Sequence, residues 1–542
     1  MKRLIALISA AALLLCCSAC SRSGSGTLAF PLPSSPETLD PQYCTGNSAD
    51  IIINNCFEGL TREGENGEIL PGVAKSWQVS ADGLVYTFNL REDTKWSRID
   101  SFKSVLGEEK FAEFEAKPVT ADDFVFAFRR AVSPQTGSPS AALFSVIKNA
   151  GKIMAGSLDA KELGVSAPES KTLVVTLENP CEDFLERLSM TAFMPCNEEF
   201  FTATGGRYGL AAKYILCNGP FYVKSWDGNS KLVASRSSGY AGENPVVPSA
   251  VSFHFDNDAA SIAKKLGSGS YSAAVLTPYH LPEESGVTLV PLEDTVFGLC
   301  FNCSDEFLAN ENLRLALCLS VDREGFGLLA GMSDTCTGLV PACCSVGTLN
   351  YRSSVGESTK ALKYDTALAA KKWQAGLGEI DQTRVTLTVL CSERHDEALR
   401  RQLQLWQELF GISIAISIEN VPEEQIPERM RAGDYQLALG PVSSQSQTAS
   451  GFLACFKQDS DENIFNYKSK QYDLVADRIL SVDSQAEMLS GCFTAESMLL
   501  EAAVCLPMFE CPSYFGTAAG VSRIQCSQSG DNVFFISGTK LS

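Results

Sequence analysis

Histidine is scarce in this chain of 542 residues, which contains only three: His254, His280 and His395. They are far apart and none lies near a cysteine pair, so a histidine-based metal site is not predicted. Basic residues are also in deficit, with 44 Lys and Arg against 64 Asp and Glu and a net charge of −20. Because a phosphate backbone requires a basic face, no nucleic-acid partner is expected.

Catalytic motifs are missing as well. The sequence contains no Gly-x-Ser-x-Gly, no phosphate-binding glycine loop and no His-Glu-x-x-His. The run "GSGS" at 267–270 follows a predicted helix, whereas a phosphate loop precedes one, so it indicates a turn. The chain is therefore predicted to have no catalytic residues, no metal and no cofactor, and not to be an enzyme.

One pair of carboxylates, Asp122 and Asp123 in "VTADDFVFAFRRA", could form an acid/base couple or a metal site, or could simply begin a helix. Thr120 is placed to serve as N-cap, with Asp123 at the third helical position and both acids in the first turn. Adjacent helical residues point about 100° apart, so the two carboxylates would not face one target. We predict a capped helix start.

The N-terminus is predicted to be an export sequence. A short basic region and the apolar run Leu4–Leu15 are followed by "CCSAC", which resembles a bacterial lipobox. Residues 1–19 would then be a lipoprotein signal peptide, Cys20 the lipidated residue and 20–26 a flexible tether. Cys17 stands where leucine is usual, and an ordinary secretory signal cut nearby is the alternative. Either case predicts an extracytoplasmic protein, and the first a lipid-anchored one.

Cysteine is abundant, with 20 residues. Cleavage and lipidation at Cys20 would leave an odd number, so at least one thiol would be unpaired. Cys300 and Cys303 form a single Cys-x-x-Cys at a predicted strand end, which is a weak indication of zinc. The cysteines are therefore interpreted as small core residues, with metal binding as the alternative.

The pattern of apolar residues predicts an α/β fold. In the first half, alternating stretches such as "SWQVSADGLVYTFNL" predict antiparallel strands and hairpins. In the second half, helices are predicted over Ala361–Ala375, closed by Gly376 and Gly378, and over Asp396–Phe410. The strands "VTLTVL", "ISIAISI" and "YQLAL" alternate with helices, which indicates parallel pairing through right-handed crossovers.

Several stretches, in order, resemble one family: the peptide- and nickel-type solute-binding proteins of bacterial ABC importers, nearest to the oligopeptide-binding branch. The stretches include "PETLDPQ", "NNCFEGLTREGENGEILPGVAKSW", "PVTADDFVFAFRRAVSP", "NGPFYVKSW", "NENLRLALCLSVDRE", "GDYQLAL" and "NYKSKQYDLV". They extend over nearly the whole mature chain, and such serial agreement is more specific than any single motif.

The resemblance implies a periplasmic-binding-protein-like α/β fold, with two large lobes around a hinge, an additional smaller lobe and a ligand cleft between lobes. The expected lobes are 27–70 with 192–292 and 500–542, then 71–191, then 293–499. The implied function is to capture extracellular oligopeptides and deliver them to an ABC permease with its ATPases. The expected partners are a peptide, those transporter subunits and the membrane through Cys20, with the protein itself a monomer.

The resemblance also implies ligand contacts, and here the sequence departs from the family. Where relatives carry an aspartate for the peptide amino terminus, this chain has Ser444 within the uncharged stretch 440–453, and Pro441 replaces an expected tryptophan. Either another acid supplies the charge or the ligand has no free ammonium there. The expected ligand-binding residues are Thr45, Gly46, Asn47, Gly440, Pro441, Val442, Ser443 and Ser444.

Three alternatives to peptide import stay open. The same fold could bind a neutral or modified non-peptide solute, or act as a sensor or adhesin without transport. A secreted hydrolase using Asp122 and Asp123 is the third. A capped helix start at Asp122 and Asp123 argues against the hydrolase alone, because such a pair has no catalytic geometry.

Overall fold

A computed structural model describes residues 26–541, except 65–67, 98, 114–116, 182, 243, 333, 348, 424, 444, 445, 447, 461, 480, 481, 483, 528 and 529. The predicted signal peptide, Cys20 and most of the tether lie outside the described residues. Within the described part, none of the helices combines the length and apolar character needed to cross a bilayer.

The chain forms 24 strands and 17 α-helices in its described part. The strands are β1 Thr27–Leu32, β2 Thr61–Glu63, β3 Ile69–Pro71, β4 Ala74–Val79, β5 Val85–Leu90, β6 Val165–Glu169, β7 Thr172–Thr176, β8 Phe221–Trp226, β9 Lys231–Arg236, β10 Ala250–Phe255, β11 Ala273–Leu276, β12 Thr288–Pro291, β13 Thr295–Phe301, β14 Ser345–Val346, β15 Leu349–Asn350, β16 Val385–Cys391, β17 Ile414–Asn420, β18 Leu437–Ser443, β19 Cys505–Glu510, β20 Tyr514–Thr517, β21 Val521–Ser522, β22 Gln525–Cys526, β23 Val533–Phe534 and β24 Thr539–Lys540. The α-helices are α1 Asn47–Cys56, α2 Lys103–Leu106, α3 Glu108–Glu113, α4 Ala121–Val132, α5 Ala150–Met154, α6 Phe184–Arg187, α7 Glu198–Ala203, α8 Ala259–Gly267, α9 Glu311–Leu319, α10 Arg323–Ala330, α11 Tyr351–Val355, α12 Thr366–Glu379, α13 Asp396–Phe410, α14 Gln425–Arg431, α15 Ala449–Ala454, α16 Lys470–Ile479 and α17 Gln485–Glu501.

The chain divides into two compact units. Among the described residues, unit 1 contains 26–290, 515–527 and 531–541, and unit 2 contains 291–514 and 530. The chain thus leaves unit 1 after β12 and returns to it at β20. The finer division into three lobes stays a prediction.

Unit 1 is built on two four-stranded sheets. One has the order β1-β10-β9-β8, with β1 parallel to β10 and the other pairs antiparallel. The other has the order β4-β5-β7-β6 and is antiparallel throughout. Along β5 every second residue is buried, including Phe88 and Leu90 at 0% exposure, as the alternating sequence predicts.

Unit 2 is built on one five-stranded mixed sheet of order β17-β16-β18-β13-β19. The predicted parallel pairing is confirmed for β16 with β17 and with β18. β13 is antiparallel to both of its neighbours, β18 and β19. All seven residues of β13 are buried, so this strand lies in the core of the unit.

Two helix predictions in unit 2 had different outcomes. The helix over Asp396–Phe410 is confirmed, and Gly411 follows it with φ of 62°. The helix predicted over 361–375 is wrong in its bounds, because α12 spans Thr366–Glu379 and Asp365 caps it by accepting a first-turn N–H at 2.9 Å. Gly376 lies inside this helix, where a Cβ would approach the side chain of Leu313 to 2.7 Å. The glycine therefore permits close packing of α12 on α9 and does not end the helix.

The carboxylate pair begins a helix, as predicted. α4 starts at Ala121 with Thr120 as N-cap, and Asp123 accepts the backbone N–H of Thr120 at 2.8 Å. Asp123 is buried and also accepts from Trp96 Nε1 at 3.2 Å and from the side-chain amide of Asn197 at 3.0 Å. Asp122 is exposed. The two side chains thus serve separate purposes, and Asp123 ties α4 to two neighbouring segments of unit 1.

Candidate functional site

The predicted residues Thr45, Gly46 and Asn47 form an exposed segment that leads into α1 in unit 1. Gly46 is the N-cap of that helix, with φ of 86°, a backbone conformation that favours glycine. Its carbonyl oxygen accepts hydrogen bonds from the N–H groups of Ala49 and Asp50 at 3.0 and 3.3 Å. The segment therefore presents three small polar residues to solvent at a helix N-terminus, where unused N–H groups can meet polar atoms.

A buried network holds the chain just before this segment. Arg130 donates to both carboxylate oxygens of Asp40, at 2.6 Å for the Nη1–Oδ2 contact, and to the side-chain oxygen of Gln42. Gln42 in turn donates to the carbonyl oxygens of Ala192 and Met194, at 3.0 and 2.8 Å. Asp40 and Gln42 are both buried. Because the network joins Asp40 and Gln42 to α4 and to residues 192 and 194, it fixes the base of the exposed segment.

The acidic residue closest in sequence to the segment is Asp50, in the first turn of α1. Burial raises the pKa of this carboxyl, a hydrogen bond with Thr191 opposes the rise, and the charge of Asp531 adds to it. The neutral form of Asp50 is therefore favoured more than in an exposed aspartate, and a neighbouring cation would favour the charged form.

In unit 2, Gly440 to Ser443 form the C-terminal part of β18, and Ser444 lies outside the described residues. This part pairs with β13 in antiparallel register, from Gly298↔Gly440 to Thr295↔Ser443. The hydroxyl oxygens of Thr295 and Ser443 are 2.9 Å apart, which fixes the exposed Ser443 at the strand end.

One edge of this strand end extends past its neighbour. β16 pairs with β18 only at Leu437 and Ala438, and it ends at Cys391. From residue 439 to 443 the strand continues with β13 as its paired neighbour on one side, and the described residues supply no partner strand on the other. In an antiparallel ladder, alternate residues turn their N–H and C=O groups away from the partner. Ser443 therefore offers a backbone donor and acceptor at the sheet edge, and Pro441, which has no N–H, offers an acceptor alone.

The packing beneath the strand end requires glycine at 440. A Cβ on Gly440 would lie 2.7 Å from Cγ2 of Ile426, on α14. Gly440 and Val442 are buried, whereas Pro441 is half-buried and Ser443 is exposed. The helix thus lies close against one face of the strand end, and Ser443 reaches solvent.

A small pocket of about 80 Å³ opens beside the strand end, entirely within unit 2. It is lined by Pro427, Met430, Arg431, Pro441, Val442, Ser443, Phe452, Cys455, Phe456, Glu462 and Ile464. A single water takes up roughly 10–15 Å³ of such a cavity, so the pocket can hold several waters or a small side chain.

Most residues that line the pocket are apolar, but polar and apolar atoms share its surface almost equally, and its charged residues are exposed. Arg431 and Glu462 are exposed, whereas Phe452 and Phe456 are buried. Burial, followed by the charge of Glu462, raises the pKa of the Cys455 thiol to about 11, so that thiol is neutral. The lining can therefore meet both apolar and polar groups of a ligand.

The sequence prediction included three of the pocket residues, Pro441, Val442 and Ser443, and missed the rest. The missed residues come from α14, α15 and the segment after α15, which are separated along the chain. No local motif marks them, because only the folded sheet brings these segments together. Thr45, Gly46 and Asn47 belong to unit 1, and each set is described within its own unit. In the described part of the chain no group of three or more His, Cys, Asp or Glu is arranged to hold a metal.

Comparison with known proteins gives consistent matches along the chain. Residues 68–463 match the family described as "Bacterial extracellular solute-binding proteins, family 5 Middle". The probable deoxycholate-binding periplasmic protein YgiS of Escherichia coli is 26% identical over 488 residues, covering 88% of this chain and 87% of that protein. The periplasmic oligopeptide-binding protein OppA of Haemophilus influenzae is 26% identical over 454 residues, covering 81% and 79%.

The fold is also shared with a solved structure. The structure described as "Listeria monocytogenes OppA bound to peptide" has a TM-score of 0.72 and 24% identity, covering 96% of this chain and all of the other. This likeness confirms the α/β binding-protein fold predicted from the sequence. The family match extends over nearly three-quarters of the chain. The chain therefore belongs to the bacterial extracellular solute-binding proteins of family 5.

Proposed function

We propose that this chain captures extracellular oligopeptides and delivers them to an ABC permease with its ATPases. Relatives that cover most of the chain, such as OppA of Haemophilus influenzae, are named for oligopeptide binding. The observation that carries the proposal is the strand end at Gly440–Ser443, whose backbone is paired on one side only. An extended peptide can add to such an edge as a strand, so affinity would come from main-chain hydrogen bonds and not from one ligand sequence.

The pocket beside the strand end would receive a side chain of the bound peptide. Its lining by Pro441, Val442 and Ser443 places it within reach of a peptide on that edge. Its volume of about 80 Å³ suits a small apolar side chain or a polar one accompanied by water. Thr45, Gly46 and Asn47, in the exposed segment before α1 of unit 1, are also proposed to bind ligand. Ser444 would be a further contact in unit 2.

Ser443→Trp tests this placement, because the indole would fill the pocket mouth and cover the strand edge. Ser417→Trp is the matched control, since Ser417 is also an exposed strand serine in unit 2 and its hydroxyl lies 3.2 Å from that of Thr388 on the neighbouring strand. Affinity is measured by calorimetry with a synthetic mixture of tripeptides to pentapeptides, after removal of any co-purified ligand. We expect at least about a tenfold loss for Ser443→Trp and none for Ser417→Trp. A folded Ser443→Trp variant with unchanged affinity would contradict the placement.

A non-peptide solute is the second candidate ligand. The stretch 440–453 has no charged residue, and most residues that line the pocket are apolar. One relative, YgiS, is named as a probable deoxycholate-binding protein. Calorimetry with deoxycholate separates the two candidates: binding of deoxycholate without binding of the peptide mixture would favour the second.

We further propose that the protein acts outside the cytoplasm as a monomer, is not an enzyme, and is held at the membrane by a lipid on Cys20. The extracellular character of its family supports the location. The lipobox-like "CCSAC" supports the anchor. Cys20→Ser should move the chain from the membrane fraction to the soluble fraction, and an unchanged distribution would refute the anchor.

A further inference from the structure

Seventeen cysteines lie in the described part of the chain, and Cys300 and Cys505 are among those that form no disulfide there. Thirteen are buried and four are partly buried. Two of these thiols, Cys300 on β13 and Cys505 on β19, have their sulfur atoms 3.6 Å apart although 205 residues separate them in sequence. Both side chains are completely buried within unit 2.

The register of the two strands places these cysteines opposite each other. Cys300 is paired with Cys505 in the antiparallel ladder. One residue further on, the N–H of Phe301 donates to the carbonyl oxygen of Val504 at 3.1 Å. Because hydrogen-bonded and non-hydrogen-bonded pairs alternate, Cys300 and Cys505 form a non-hydrogen-bonded pair, in which Cα atoms are about 4.5 Å apart. Disulfides span Cα distances of roughly 4.4–6.8 Å, so a bond here requires no movement of the strands.

The surrounding packing leaves room for the two sulfur atoms. A Cβ on Gly298 would lie 3.1 Å from Sγ of Cys505, so the glycine keeps that face of β13 open for the thiol. Burial, with the hydrogen bond to Cys300, raises the pKa of the Cys505 thiol. A buried neutral thiol exchanges slowly, because the thiolate is the reactive form. Oxidation would therefore occur while the chain folds, before the sheet is covered.

We propose that Cys300 and Cys505 form a cross-strand disulfide when the chain folds in the presence of a disulfide oxidant. Each thiol loses one proton and one electron, and a sulfur–sulfur bond forms between them. The oxidant, a small-molecule or protein disulfide, accepts the two electrons and two protons and leaves as two thiols. The bond would join β13 to β19 beside the strand pair that carries Thr295 and Ser443. The inference is independent of the identity of the ligand.

Peptide mapping of the wild-type chain tests the proposal directly. The purified chain is reduced in denaturant, refolded either in a buffer of reduced and oxidised glutathione or in excess dithiothreitol, and then blocked with N-ethylmaleimide in denaturant. Non-reducing digestion and mass spectrometry should show a Cys300–Cys505 linked peptide pair only in the glutathione sample. If the chain does not refold, the same peptide map is made on protein that was exported to a bacterial periplasm and purified without reductant. Complete labelling of both cysteines in folded, oxidised protein would overturn the proposal.

Two single substitutions separate this bond from general thiol oxidation. Cys505→Ala should abolish the linked pair and leave Cys300 labelled. Cys318→Ala removes another buried thiol of unit 2 and should leave the linked pair intact. The oxidised wild-type chain should melt about 5–10 °C above the reduced chain, whereas Cys505→Ala should show no such shift. Linkage lost in Cys318→Ala, or an equal shift in Cys505→Ala, would contradict the assignment.

Discussion

The stability of unit 2 should depend strongly on one buried carboxylate, Glu496, on α17. Its side chain is 0% exposed. It accepts hydrogen bonds from the following five groups: the backbone N–H of Leu339 at 2.8 Å, the backbone N–H of Val340 at 2.9 Å, the hydroxyl of Tyr351 at 2.8 Å, the hydroxyl of Ser358 at 2.6 Å and the guanidinium of Arg352. These donors lie on other segments of the chain, so the carboxylate joins them to α17.

Glu496→Ala removes the carboxylate that forms an ion pair with Arg352, whose side chain is 10% exposed. Breaking a buried ion pair by removing one partner costs about 3–5 kcal/mol. Donors left without an acceptor, such as the buried hydroxyl of Tyr351, cost about 1–3 kcal/mol more before the site relaxes. We expect a total loss of about 4–8 kcal/mol in the free energy of unfolding. Glu496→Gln keeps an acceptor of the same size and should cost less.

Urea unfolding followed by tryptophan fluorescence measures this loss, since Trp373 and Trp406 are both buried in unit 2. Asp477→Ala is the control, because Asp477 is 57% exposed and pairs with Lys457 at 2.7 Å. An exposed pair contributes about 0–1 kcal/mol. If Glu496→Ala lost no more stability than Asp477→Ala, the network would not hold the unit together and the reasoning would be wrong.

Three further predictions follow from single side chains. Asp123→Ala removes the acceptor of a helix cap and of two buried donors and should lower the free energy of unfolding by about 2–4 kcal/mol. Asp122→Ala changes an exposed residue and should lower it by less than about 1 kcal/mol. Thermal unfolding of both variants checks the contrast. Burial raises the pKa of Glu510 to about 7, so the folded chain holds a proton that the unfolded chain releases. Stability should therefore fall as pH rises from 4.5 to 7. Melting curves should show a smaller fall in Glu510→Gln, and an equal fall would refute the assignment. Gly440→Ala would place a methyl group against Ile426 and should destabilise the chain by about 1–3 kcal/mol, with weaker peptide binding as α14 is displaced; unchanged urea unfolding and calorimetry would contradict this.

Local patterns in the sequence predict a helix correctly where the capping residues and the buried apolar stripe indicate the same ends. The helix Asp396–Phe410 was predicted with its observed bounds, because its apolar stripe and the glycine after it point to the same end. The start of α4 was predicted for the same reason, since Thr120 and Asp123 satisfy each other locally. The family resemblance then implied the fold, which the shared structure confirms.

Features that depend on distant segments were not predictable. The sequence predicts Gly376 as a helix end, because its packing partner Leu313 is more than sixty residues away in sequence. The antiparallel placement of β13 between β18 and β19 likewise follows from the sheet and from no local pattern. For the same reason, local patterns do not predict the pocket residues other than Pro441, Val442 and Ser443. Nor do they predict the contact between Cys300 and Cys505, which only the folded chain brings together.

Native mass spectrometry of the soluble chain starting after Cys20 tests the central claim most directly. The protein is weighed with its co-purified ligand and again after denaturing release, and the released molecules are sequenced by fragmentation. The account predicts a ladder of peptides of varied sequence, because main-chain pairing at the edge of β18 would not select one sequence. A single discrete non-peptide mass, released stoichiometrically, would contradict the peptide receptor and favour a specialised solute.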